Sequence, residues 1–202
     1  IGFSTETGKQ TRAIAGSEYL TSQPFGVFSY GYDYNPTLQT PAHVVNDTPV
    51  MDNVEINEQD GANSTKVWKA TNNITYYWPN DPDNYLNFYA YSPIVSDKTL
   101  LTDEKALANH QKLTGTLAHD ESTGLSITGF DHKNMYVDFM VATPVVGATY
   151  TNTTGGVVPV NFHHELTQVV FNVKANAAYS GVTFTIQKIT LNDVVNKANY
   201  VN

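Results

Sequence analysis

His163, His164 and Glu165 are consecutive, and imidazoles and carboxylates are ligands that zinc takes. In an extended chain neighbours point to opposite faces, so only His163 and Glu165 could share an ion, one ligand short of a site. A structural histidine or an exposed pair is therefore favoured. His43, His110, His119 and His132 are single and fall in expected loops. Asp81 and Asp83 in N-D-P-D-N resemble the start of a calcium loop, but Tyr85 and Leu86 stand where a further oxygen ligand and a glycine are needed, which leaves a turn. A pair of carboxylates for glycoside hydrolysis needs to meet only in space, and nothing in the sequence selects one. No G-x-S-x-G, Walker loop, H-E-x-x-H or dinucleotide fingerprint occurs. The expectation is a protein that is not an enzyme and takes no cofactor. Tyr76, Tyr77, Trp78, Tyr85, Tyr89 and Tyr91 could form an aromatic platform for sugars, although aromatic side chains on alternating strands more often serve as core or cross-strand pairs.

The elements that would carry these residues are strands. Phe25 to Tyr30 presents Phe25, Val27 and Ser29 on one face and Phe28 and Tyr30 on the other. Tyr32 to Val45 contains Pro36 and Pro41 without a period and is expected to be a loop. Val50 to Ile56 sets Met51, Asn53 and Glu55 against Val54 and Ile56. Lys66 to Ala70 and Ile74 to Trp78 are expected to form a hairpin through Thr71-Asn72-Asn73. Tyr85 to Ser92 places Leu86, Phe88 and Ala90 opposite Tyr85, Tyr89 and Tyr91, and Pro93 stops it. Leu100 to Leu113 is the one helical candidate, with Thr102 as cap and Asp103 and Glu104 in its first turn. Gly124 to Phe130 and Tyr136 to Thr143 follow as strands. Gly147 to Gly156 reads as a flexible loop and the best boundary. Beyond it Val158, Val160 and Phe162 alternate, then Val169, Phe171 and Val173, then Val182, Phe184 and Ile186, with Ile189 and Leu191 after them. Many short strands at this spacing describe an antiparallel sandwich.

The 202 residues can bury a core, and 41% hydrophobic against 15% charged residues argues for a folded chain. Thirteen Tyr and nine Phe suit a pleated, half-covered surface. The net charge is −8, and eleven scattered Lys and Arg offer no concentrated positive patch, so nucleic acid is not an expected partner. No apolar run is long enough to span a bilayer as a helix. Without Cys there is no disulfide, thiolate metal site or Cys nucleophile. Four N-x-S/T sequons, at Asn46, Asn63, Asn73 and Asn152, match chance in a chain rich in Asn and Thr.

The first thirteen residues, I-G-F-S-T-E-T-G-K-Q-T-R-A, combine a short strand with a polar connector. Ile1 and Phe3 point to one side, Gly2 and Ser4 to the other. Glu6 to Thr11 carries Gly8 and buries nothing, which places Arg12 within reach of a protease.

Read in order, the opening I-G-F-S-T with T-R-A, then F-G-V-F-S-Y, M-D-N-V, W-K-A with Y-Y-W-P, L-N-F-Y-A-Y-S-P, D-F-M-V-A and V-N-F-H-H-E-L-T-Q-V-V-F resemble the fimbrillins, the subunits of type V pili of Bacteroidetes. The resemblance spans essentially the entire chain. It implies transthyretin-like antiparallel β-sandwiches in tandem: residues 1–156 as the first, and 157–202 as closing strands or the beginning of an incomplete second. It implies export as a lipoprotein, an outer-membrane-anchored pilus at the surface of a Gram-negative cell, and a role in adhesion to host glycans or proteins. It also implies that a trypsin-like protease cuts after Arg12, leaving Ala13 as the new N-terminus. Removal of the Ile1 and Phe3 strand would open a groove for a strand from a neighbouring pilin subunit. An open edge with a row of apolar side chains is a template for strand addition. About four buried apolar side chains at ~1.5–3 kcal/mol each would contribute roughly 6–12 kcal/mol before ordering costs. The alternative is a surface glycan-binding module that does not polymerise.

Overall fold

The computed structural model describes residues 1–7, 24–35, 40–44, 49–61, 66–94, 116–120, 124–131, 139–165, 171, 174, 183, 185–193 and 197–201. Among these the chain is all β. The strands are β1 (Gly2–Thr7), β2 (Phe25–Asn35), β3 (Thr40–Val44), β4 (Met51–Asp60), β5 (Lys66–Ala70), β6 (Tyr85–Ser92), β7 (Thr116–Asp120), β8 (Gly124–Asp131), β9 (Met140–Ala142), β10 (Val145–Ala148), β11 (Val157–His164) and β12 (Lys197–Val201). The expected helix over Leu100 to Leu113 lies outside the described residues.

The larger sheet runs β10-β6-β9-β11-β1-β5-β4-β2-β3 and closes on itself, because β2 also pairs with β6. The closing ladder is long and antiparallel, from Gly26 opposite Tyr91 to Tyr32 opposite Tyr85. A closed sheet has an inside and an outside, and the period of two sorts the side chains between them. Phe3, Phe25, Val27, Val54, Ile56, Trp68, Phe88, Val158, Val160 and Phe162 fill the inside. Outside, a three-stranded sheet, β12-β8-β7, covers β2 and β6. There Phe28, Tyr30, Tyr89 and Tyr91 pack with Leu117, Leu125 and Ile127. The expected two-faced alternation of β6 is therefore real: Leu86, Phe88 and Ala90 enter the inner core, Tyr89 and Tyr91 the outer one.

Several expectations need correction. Tyr32 to Val45 is not simply a loop, since β2 continues to Asn35 and pairs with β3 through Pro41. Proline is tolerated on a strand at the end of a sheet, as β3 is. Met51 does not share a polar face with Asn53 and Glu55. Val27 pairs with Val54 and Ser29 with Met51, so β4 carries one residue more than β2 between those pairs. Asn53 takes φ 49 at this bulge, and Met51 is turned into the core with Val54 and Ile56. The expected hairpin of Lys66 to Ala70 with Ile74 to Trp78 does not form. One edge of β5 is taken by β4 and the other by β1. Residues 71–79 instead run without a ladder, with Thr71 N donating to Glu55 O at 3.0 Å.

Gly147 to Gly156, expected to be a flexible loop, is tightly bonded. Asn152 Oδ1 accepts from Thr149 N at 2.7 Å, and Thr153 Oγ1 donates to Thr149 O at 2.7 Å. Only Met140–Ala142 of the expected Tyr136 to Thr143 strand is a strand among the described residues. Ile186, Ile189 and Leu191 are exposed and form no ladder, because alternation specifies a strand only where a neighbour offers an edge.

Candidate functional site: the first strand and its seat

β1 lies between two strands that would otherwise face each other across a gap. On one side it runs parallel to β11, from Gly2 opposite Val157 to Thr7 opposite Phe162. On the other, among the described residues, it meets β5 at a single antiparallel bridge, Phe3 opposite Trp68. Ile1 N donates to Tyr76 O at 2.7 Å, which ties the strand's start to the ladderless segment after β5.

The alternation expected for this strand holds. Phe3 is buried, Ile1 packs against the inner core from a half-buried position, and Ser4 is exposed. Phe3 stands edge-on to Phe25 at 6.1 Å and to Phe88 at 5.9 Å. Phe25 in turn meets Trp68 at 5.4 Å and Phe162 at 5.3 Å. Edge-to-face rings add to plain burial, so Phe3 completes an aromatic cluster drawn from β1, β2, β5, β6 and β11. Beside the seat a groove of about 580 Å³ is lined by Ser4, Val145, Val146, Val157 and Pro159 among others. Arg12 and Ala13 lie outside the described residues.

The residues singled out for other chemistry do not converge. Asn161, His163 and Glu165 are exposed on β11 and just after it, while Phe162 points inward. His163 Nε2 lies 2.7 Å from Thr143 Oγ1. Although Glu165 is exposed, partial desolvation of its carboxyl by the surrounding chain, opposed by His163, holds it above its ordinary range. Among the described residues no group of three His, Asp or Glu side chains could hold a metal. Asp81 caps a turn, with Oδ1 accepting from Asp83 N at 3.0 Å.

The aromatic set divides: Tyr89 and Tyr91 are core, Tyr85 stacks on Tyr32 at 5.3 Å, and Tyr77 is exposed. His119 is the residue that sequence reading missed. It sits on β7 rather than in a loop, stacks on Phe28 at 4.0 Å, hydrogen-bonds Tyr30 Oη through Nδ1, and places Nε2 3.3 Å from Asp52 Oδ1. That contact ties the outer sheet to β2 and β4. Its signal was the alternation of Leu117 and His119 around Ala118, too short to read alone.

No helix among the described residues is long and apolar enough to cross a membrane. A family model described as fimbrillin-like matches residues 11–201. No curated protein matches the chain, and no solved structure does.

Proposed function

The chain belongs to the fimbrillin-like family, and from that premise we propose that it is a structural subunit of a cell-surface pilus in which β1 is a temporary strand. One observation carries the reading: β1 occupies a slot between β11 and β5 and supplies Phe3 to a core that is otherwise built by other strands. Cleavage after Arg12 by a trypsin-like protease would make Ala13 the new N-terminus and free residues 1–12 from covalent attachment. Once β1 leaves, the ladder of Val157 to Phe162 and the aromatic cluster face water. A strand from a neighbouring subunit that restores both would be held by backbone pairing and apolar burial. Adhesion, the lipoprotein leader and the outer-membrane anchor belong to the same reading and rest on the family alone.

We propose that the closed sheet is a flattened, transthyretin-like sandwich, a reading supported by the Phe3 and Phe25 cluster between β1, β5 and β11 on one side and β2 and β6 on the other. For residues 157–202 we favour closing strands over a second domain. Support comes from β11 pairing with β1 and β9, and from β12 pairing with β8.

Limited trypsin digestion of the folded chain tests the proposal. An early single cut after Arg12, followed by loss of residues 1–12 and a shift to multimers, is the expected course. The Arg12→Ala variant should stay uncut at this point and monomeric. A bond after Arg12 that resists trypsin while other sites are cleaved would count against it. So would a cut chain that remains monomeric with residues 1–12 still bound.

A further inference from the structure

We propose that the groove between residues 77–84 and the turn at 149–151 is a binding site for neutral oligosaccharides. The groove encloses about 760 Å³ and is lined by Tyr77, Trp78, Asn80, Asp81, Asn84 and Tyr150 among others. Tyr77 is 77% exposed and Tyr150 60%, the two most exposed tyrosines among the large hydrophobic residues at the described surface. Exposed rings at the mouth of a groove, with a few polar groups beside them, are the general form of a small-ligand site. A ring face suits the apolar C–H face of a pyranose, and adjacent amide and carboxylate groups suit its hydroxyls.

Trp78 and Tyr150 are backed by the chain behind them. Trp78 Nε1 donates to Gly156 O at 3.2 Å, and the Trp78 ring stands edge-on to Phe88 at 5.9 Å. Gly156 has φ +74, and a side chain there would come within 2.8 Å of Trp78 Nε1 and 2.9 Å of the Tyr150 ring. Glycine at this position therefore lets Tyr150 lie close beside Trp78. Both turns that form the walls are internally bonded. Asn84 N donates to Asp81 O at 3.1 Å on one wall, and Asn152 Nδ2 donates to Gly147 O at 2.8 Å on the other. A site already in its bound shape loses little freedom on binding.

Two features choose the ligand class. Among the described residues the lining contains the carboxylate of Asp81 and no Lys, Arg or His, which disfavours sialylated or sulfated sugars. Residues 77–79 form no ladder and 80–84 are turn, so there is no free strand edge on this wall for a peptide to extend. Neither Tyr77 nor Tyr150 belongs to the β1 seat, and the intact chain used in the test keeps the bond from Ile1 N to Tyr76 O beside the groove, so the outcome does not depend on strand exchange.

The test is a glycan array carrying neutral galactosides, mannosides and N-acetylglucosaminides beside their sialylated counterparts. It is followed by calorimetric titration of the intact chain with the strongest neutral oligosaccharide. Tyr77→Ala and Tyr150→Ala should each weaken binding at least about tenfold, the loss typical of a truncated aromatic anchor. Their thermal midpoints should stay at the parent value, since both rings are mostly in water. An array with no neutral signal, a preference for sialylated glycans, or parent affinity in either variant would overturn the site.

Discussion

β1 and β2 each place one phenylalanine in the same aromatic cluster, Phe3 and Phe25, yet the two strands are held in different ways. β2 is buried on both faces: Phe25 and Val27 lie inside the barrel, Phe28 and Tyr30 lie under the outer sheet. It is laddered to β6 along Gly26 to Tyr32 and also to β4 and β3. Among the described residues β1 buries one face only, and its hold on β5 is the single bridge of Phe3 with Trp68. Its long ladder, to β11, is parallel, the pairing that is slightly less stable per residue. On the proposed reading this difference in hold is a difference in permanence: the strand that closes two cores stays with the frame, and the strand that completes one is the strand that leaves.

Substitutions in the two strands should separate them. Phe25→Ala should cost about 3–5 kcal/mol of global stability, read from denaturant midpoints, because it empties the centre of the cluster from a strand that cannot move away. Phe3→Ala removes the same side chain from the same cluster, but its global effect should be smaller than that of Phe25→Ala. Its cost is capped at the free energy of releasing β1, and the loss should appear first as faster exchange of the β1 amides. An equal effect of the two substitutions would show that both strands belong to one cooperative unit.

Gly124→Ala probes the outer core that distinguishes β2 and β6 from β1. Gly124 has φ +72, and an added Cβ would lie 2.5 Å from the Tyr89 ring. A loss of about 1–3 kcal/mol in thermal or chemical unfolding is expected, without change in exchange of β1.

The smallest effect concerns the phenol of Tyr200, on the outer sheet and edge-on to Phe139 at 6.4 Å. Burial, and then the Glu165 carboxylate, push it from the usual 10.0 up to about 12. Between those values the folded chain holds a proton that the unfolded chain has released, so stability falls as pH rises through that window. Burial raises Tyr85 and Tyr89 in the same direction. Tyr200→Phe should flatten the decline of the thermal midpoint in alkali.

Much of this was legible in the sequence because strands announce themselves by a period of two. Ile1 and Phe3, the two faces of Tyr85 to Ser92, and Val158, Val160 and Phe162 all lie as their alternation requires. What alternation cannot report is which edges meet. The Lys66 to Trp78 hairpin failed because β5 has its two edges filled, one by β4 just before it in the chain and the other by β1, far away in sequence. Met51 escaped because a bulge resets the period by one residue. His119 escaped because its role depends on Tyr30, Phe28 and Asp52, far away in the chain. The aromatic residues looked alike as a row, and only the fold separates the buried Tyr89 and Tyr91 from the exposed Tyr77.

Native-state hydrogen exchange of the intact chain, followed across increasing denaturant, is the most direct test of β1 as a temporary strand. The amides of β1 and their partners on β11 should open together at a free energy well below that of the β2 and β6 ladder, while that ladder exchanges only by global unfolding. If β1 and β2 opened at one common free energy, the first strand would be a permanent part of the fold and the account of its release would be wrong.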